Sequence, residues 1–212
     1  MTSTPAKAVS MRRAPQQERG RQRVDSILDA AAEIFAEVGY EAATTNAIAA
    51  RAKTSIGSLY QFFPDKQAIF RALDARYCLQ LHALGAQVLT PAMAAVGLER
   101  MVGDVIDAYG DFQPQPGFRA VMLQHQLTPH LCEAEDESLD RELVKVLAAL
   151  LSMRNPALVP ERCELLADVC VRTGCTLLTA GVLGDEKYHL QMLEQTKHIL
   201  VAYLRPYDSP KS

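Results

Sequence analysis

The sequence predicts an all-α protein in two parts: a compact N-terminal three-helix unit and a larger helical unit, joined by one long helix. Three observations carry this. Apolar residues recur on one side of successive helical turns from Val24 onward. Two short helical stretches are separated by "KTS" and closed by Pro64. No stretch alternates apolar and polar residues, and no Asn-Gly turn signals a hairpin.

The first helix follows from apolar residues at positions 24, 27, 28, 31, 34, 35 and 38, with Gly39 as its stop. In "EAATTNAIAARAK", the hydroxyl of Thr44 or Thr45 can cap a second helix of about two turns whose inner face is Ile48, Ala49 and Ala52. A third helix is expected from near Ser55 to Phe62 or Phe63. Pro64 ends it, because proline disfavours helical geometry in the residue before it. Asp65 then caps a fourth helix that persists to about Leu89, long enough to link two domains rigidly. Further helical patterns follow at roughly 95–112, 117–127, 137–153, 161–183 and 187–205.

Composition restricts what these helices do. The chain has 212 residues, 49% hydrophobic and 22% charged, as in an ordinary soluble globular protein. The polar, basic N-terminus is followed by no apolar segment and does not read as a secretory signal, so a cytoplasmic chain with no membrane partner is expected. The five cysteines form no Cys-x-x-Cys pair and are expected reduced and mostly in the core. Cys163 and Cys170, seven apart, leave open a redox reading.

The net charge of −3 conceals an asymmetry: residues 1–66 carry nine Lys/Arg against seven Asp/Glu, a balance of +2, and the remainder carries −5. Within residues 1–23, Lys7, Arg12, Arg13, Arg19, Arg21 and Arg23 oppose only Glu18. Such an arm is attracted to polyanions, although a solvated tail has the same composition.

Two short helices after a longer one make a helix-turn-helix layout. "TSIGSLYQFFPDK", from Thr54 to Lys66, is then suited to DNA. A recognition helix inserts its first turn into the major groove, so residues there must be small for close approach and polar enough to reach bases and phosphates. Ser55, Gly57 and Ser58 meet that need, and Tyr60 and Gln61 follow on the next turn. Gly57 costs a helix up to about 1 kcal/mol relative to alanine. Leu59, Phe62 and Phe63 are expected to face inward, toward Ile34, Phe35 and Ile48. Lys66, opening the fourth helix, could meet phosphate or simply be solvated.

The stretches "ILDAAAEIFAEVGYEAATTNAIAARA" and "SIGSLYQFFPDKQAIFRAL" resemble the tetracycline-repressor-like (TetR-type) family of transcriptional regulators over residues 23–73. The resemblance implies a dimer whose N-terminal domains bind a double-stranded DNA operator and whose C-terminal helices hold an inducer pocket. On it, Thr44 and Thr45 match phosphate contacts, and Asn46 a position that sometimes reads a base. Ser55, Ile56, Gly57 and Ser58, with Tyr60 and Gln61, match the recognition turn, and Lys66 a phosphate-binding lysine. Lys53 departs from the glycine common in the family's turn, and so must itself adopt a conformation glycine takes cheaply. The expected domains are a basic arm over 1–22, a DNA-binding domain over 23–70, a ligand-binding and dimerisation domain over 71–206, and a tail over 207–212.

The last two helices carry apolar stripes that, by resemblance, pair with their copies in a homodimer, or else form a monomer core. Gly174 and Gly181, seven apart, would permit close helix approach. Met101, Tyr109, Phe112, Phe118, Met122, His125 and Met153, with Cys170, have the mixed aromatic, methionine and polar character of an adaptable pocket for a small-molecule effector, or of plain core. Asp104, Asp107 and Asp111 share a face that could attract a cationic ligand but are expected to be solvated, and His125 and His130 are spaced against a metal site. No phosphate-cradling loop, His-Glu-x-x-His or nucleophile motif occurs, so neither catalytic residues nor a cofactor is expected.

Overall fold

The computed structural model describes residues 18–127 and 135–208, excepting the side chains of His125 and of residues 135–140. Helices and their short connections make up these residues, with no strand among them. The helices are α1 (Glu18–Ala42), α2 (Thr45–Arg51), α3 (Ile56–Phe62), α4 (Lys66–Val88), α5 (Leu98–Phe112), α6 (Phe118–Leu127), α7 (Glu135–Arg154), α8 (Pro160–Leu183) and α9 (Glu186–Leu204), with 3-10 turns at Pro91–Ala95 and Arg205–Tyr207.

The chain divides into two compact units. One comprises residues up to Cys78 together with Pro114–Glu135, the other Leu79–Gln113 together with residues from Asp136 onward, and α4 passes from the first into the second. Residues 114–127, expected with the larger domain, thus cluster with the N-terminal unit.

In the first unit, Ile27, Leu28, Ile34 and Phe35 of α1 are buried, as are Ile48 of α2, Leu59 and Phe62 of α3, Phe63, and Ile69, Phe70 and Leu73 of α4. Helix α1 begins at Glu18, earlier than its apolar pattern does, with an acid in the first turn where the helix dipole favours negative charge. Arg19, Arg21 and Arg23 therefore stand on a helix, not on an arm. Gly39 breaks α1 at φ 75°. Helix α6 packs on α1 through Gly117, whose φ of 77° and lack of a side chain allow the backbone of Ala32 to come close. Tyr77 of α4 donates its hydroxyl to the Pro116 carbonyl and meets Phe118 edge-on, with centroids 5.5 Å apart.

In the second unit, α8 and α9 pair across the short Gly184–Asp185 connection, and α5 packs on α9. Lys197 of α9 reaches Asp107 of α5 at 2.6 Å and Arg205 reaches Glu99 at 2.7 Å, so Asp107, expected solvated, is ion-paired. Helix α8 is long and apolar enough to cross a membrane by length and composition, with 44% of its apolar window buried. Here it is a core helix, contributing Cys163, Leu166, Cys170 and Leu178 to the cluster shared with α5, α7 and α9. Gly181 lets α9 approach, since an added Cβ would lie 3.0 Å from Met192 Cβ; Gly174 has no neighbour in reach. Arg154, whose side chain is 3% exposed, donates to both carboxylate oxygens of Asp208 (2.8 and 2.9 Å) and to the carbonyls of Met93 (3.1 Å) and Val96 (2.5 Å). Asp208, placed by the sequence reading in a tail, is thereby tied to the helical core.

Candidate nucleic-acid interface

Helices α2, α3 and α4 each start on a side-chain cap three residues before the amide it satisfies. Thr44 Oγ1 accepts from the Ala47 amide (3.1 Å), Ser55 Oγ from that of Ser58 (3.1 Å), and Asp65 Oδ1 from that of Ala68 (2.7 Å). Between α2 and α3 the chain reverses at Lys53, the one non-glycine residue with positive φ (52°) among the described residues. Its amide returns to the Ala50 carbonyl and that of Thr54 to Ala49, a left-handed helix ending. Lysine takes this conformation at a cost of about 1–2 kcal/mol.

With Leu59 and Phe62 buried, α3 turns its other side outward: Ser55, Ile56, Gly57, Tyr60 and Gln61 are exposed, Ser58 is half-buried, and Thr44 and Asn46 of the α2 entry are also exposed. Thr45 is half-buried and shares a hydrogen bond with the Tyr60 hydroxyl at 3.2 Å, which ties α2 to α3 on this face. An added Cβ at Gly57 meets nothing within 4 Å, so no packing within the chain requires glycine there.

The cations around this face have distinct partners. Arg51 donates to Glu33 (2.8 Å) and to both oxygens of Glu37 (3.0 and 2.9 Å). These bonds hold Glu37 below the usual carboxylate range and raise the guanidinium further. Arg76 pairs with Asp29 at 2.6 Å. The carboxylates belong to an acidic stripe on α1, four residues apart, that borders an open groove of about 370 Å³ lined by Gln22, Asp25, Ser26, Asp29, Ala30, Glu33 and Arg51. Lys66, expected at phosphate, has its ammonium on the carbonyls of Tyr40 (2.7 Å) and Glu41 (3.0 Å), 4.4 Å from the Tyr40 ring centre. It closes the end of α1. Arg23, which the sequence reading did not single out within this face, is exposed and donates to Ser58 Oγ at 3.2 Å. No local signal could have placed it there, since 35 residues separate the two.

The residues expected to line an effector pocket are divided between the two units. Met101 and Cys170 are buried in the second unit's cluster, with Tyr109 packed against it; Phe112 is buried in the same unit. Phe118 and Met122 are buried in the first unit, and Met153 is 54% exposed. The side chain of His125 lies outside the described residues, as do His130, Cys132 and the arm cations Lys7, Arg12 and Arg13. Burial raises the thiols of Cys163 and Cys170, the latter to about 12, which disfavours the thiolate that redox chemistry needs.

A family model for the tetracyclin repressor-like C-terminal domain matches residues 97–204, just over half of the chain, and one for bacterial regulatory proteins of the tetR family matches residues 27–73. The chain belongs to the TetR family. This TetR-family transcriptional regulator is similar to one from Streptomyces coelicolor (27% identity, 88% of this chain and 97% of that one, TM-score 0.62). It shares its fold with another from Mesorhizobium loti (16% identity, 91% and 100% covered, TM-score 0.68). It is also 46% identical over 57 residues to the A-factor receptor protein of Streptomyces griseus, a match to 27% of this chain and 21% of that relative's length. The helix-turn-helix face is thus that of a DNA-binding regulator.

Proposed function

We propose that the protein is a ligand-responsive repressor that binds a palindromic operator as a homodimer and is released by a small apolar or amphipathic molecule. The observation that carries the DNA-reading part is α3, capped by Ser55, anchored by buried Leu59 and Phe62, and exposing Gly57, Tyr60 and Gln61. Thr44, Thr45, Asn46, Ser55, Ile56, Gly57, Ser58, Tyr60, Gln61 and Lys66 are the proposed contacts, within a DNA-binding domain over residues 23–70. Two copies of α3 in a dimer would enter successive major grooves about 34–36 Å apart.

The ligand and dimer functions are assigned to residues 71–206. Leu165 of α8 and Leu190 and Ile199 of α9 are exposed apolar residues on the two helices proposed to pair with their copies. A ligand that favours another separation of the reading helices weakens operator binding, by a coupling of about 1–3 kcal/mol. Helix α4, continuous from one unit into the next, is the proposed link. A regulator with no small-molecule inducer is the second reading, favoured by pocket candidates that are packed core, as Met101 and Cys170 are, or exposed, as Met153 is.

The test is selection of duplexes from a random library by the full-length protein, followed by fluorescence anisotropy on the enriched sequence and on unselected DNA. Enrichment of a palindrome bound far more tightly than unselected DNA is expected. Equal, strongly salt-dependent binding to both would sink the operator reading. A screen on the enriched duplex then separates the two readings: the first requires a compound that weakens binding, and the second requires none.

A further inference from the structure

We infer that Arg23 of α1 is a phosphate ligand of the DNA complex and that Lys66 is a lock on the fold instead. This rests on the DNA-binding reading and departs from it at one residue. The argument is a sorting of cations by what each must give up to meet an anion.

Arg51 is held by two carboxylates and Arg76 by one, so a phosphate would have to displace a charged partner already in place. Lys66 already gives two of its three ammonium donors to the carbonyls of Tyr40 and Glu41, closing the end of α1, so at most one donor is left to meet an anion. Arg23 differs in having a single neutral partner, the Ser58 hydroxyl. Exchanging that bond for one to a phosphate oxygen replaces a neutral acceptor by an ionised one, and charge-assisted bonds are roughly twice as strong. The bond also fixes the guanidinium's location: it lies beside the first turn of α3, whose neighbours Gly57, Tyr60 and Gln61 are exposed. Ser58, released when Arg23 turns to phosphate, is freed for a base edge.

Phosphate contacts are read from salt dependence, because each one releases counterions whatever the base sequence. The experiment measures affinity of the full chain across a salt series on the selected duplex and on an unselected one, for wild type, Arg23→Ala, Arg23→Lys and Lys66→Met, with a melting curve for each. Arg23→Ala is expected to flatten the slope of log K against log salt on both duplexes by about 0.9 per Arg23 in the complex, with the melting curve unmoved. Arg23→Lys should restore the slope. Lys66→Met should lower the melting temperature and leave the slope intact. An unchanged slope for Arg23→Ala would overturn the assignment, and so would an affinity loss confined to the selected duplex, which would make Arg23 a base reader. A slope lost in Lys66→Met would return the phosphate to Lys66. Failure of the library to yield any preferred sequence would sink the operator reading alone, since slopes on the unselected duplex still decide this one.

Discussion

The caps that start α2, α3 and α4 reach amides three residues away, whereas the bonds that close the C-terminal unit span the chain. Arg154 lies 54 residues from Asp208 and 61 from Met93, and Arg205 lies 106 from Glu99. Local bonds make a motif that can be transplanted and recognised. Distant ones make a framework that exists only once the whole unit has folded, which frees the sequence between its anchors to vary. The N-terminal unit is not purely local, however, for Gly117 on Ala32 and Arg23 on Ser58 both cross it.

The largest effect expected is on the distant framework. Arg154→Met removes a buried guanidinium and strands a half-buried carboxylate and two carbonyls, at a cost of about 3–5 kcal/mol. Urea unfolding followed by circular dichroism measures it, and a loss below about 1 kcal/mol would show that the C-terminal unit does not depend on this anchor. Gly117→Ala sharpens the contrast from the other side. Its Cβ would stand 2.6 Å from the Ala32 carbonyl oxygen and 2.7 Å from its Cα, at a positive φ. With about 1–2 kcal/mol for the left-handed conformation and a clash against backbone, a loss of about 3 kcal/mol is expected in the same assay.

Gly57→Ala should act in opposite directions on two readouts. Nothing in the chain opposes the methyl, so thermal stability should rise by up to about 1 kcal/mol, while affinity for the selected duplex falls about tenfold, or about 1.4 kcal/mol. A variant that binds as tightly as wild type would remove close approach as the reason for this glycine. The smallest effect is set by pH. His189 is buried with Nδ1 unpartnered, and burial lowers its pKa below the ordinary value of about 6.5. The unfolded chain therefore takes up the proton first, so the stability that His189 contributes is present above about pH 6.5 and is lost as pH falls through the folded pKa. Compared with His189→Gln, wild type should lose stability between pH 7.5 and 5; parallel curves would show that the imidazole is not shielded.

Much of the helix order was legible in sequence, and for identifiable reasons. Pro64, the hydroxyl caps and Gly39 bound their helices by backbone chemistry that acts within a few residues, so α2, α3 and the breaks around them follow from reading along the chain. The start of α1 lies before its apolar pattern, because Glu18–Arg23 has no apolar period to show and joins the helix by dipole and continuity. The 3-10 turn at Pro91–Ala95 was likewise hidden, part of its stability coming from Arg154 on the Met93 carbonyl. Of the candidate DNA contacts, the exposure of Gly57, Tyr60 and Gln61 was readable from the inward spacing of Leu59 and Phe62.

By itself the sequence determined most of the helix order, the two short helices around the Lys53 turn and which family the chain resembles, because propensity, capping and apolar period are properties of neighbouring residues. Only the tertiary structure decided which cation faces which partner. A lysine or arginine side chain reaches several ångström and takes whatever acceptor the packing brings within range. That is why Lys66 closes the end of α1, why Arg51 and Arg76 are taken by carboxylates, and why Arg23 stands beside α3.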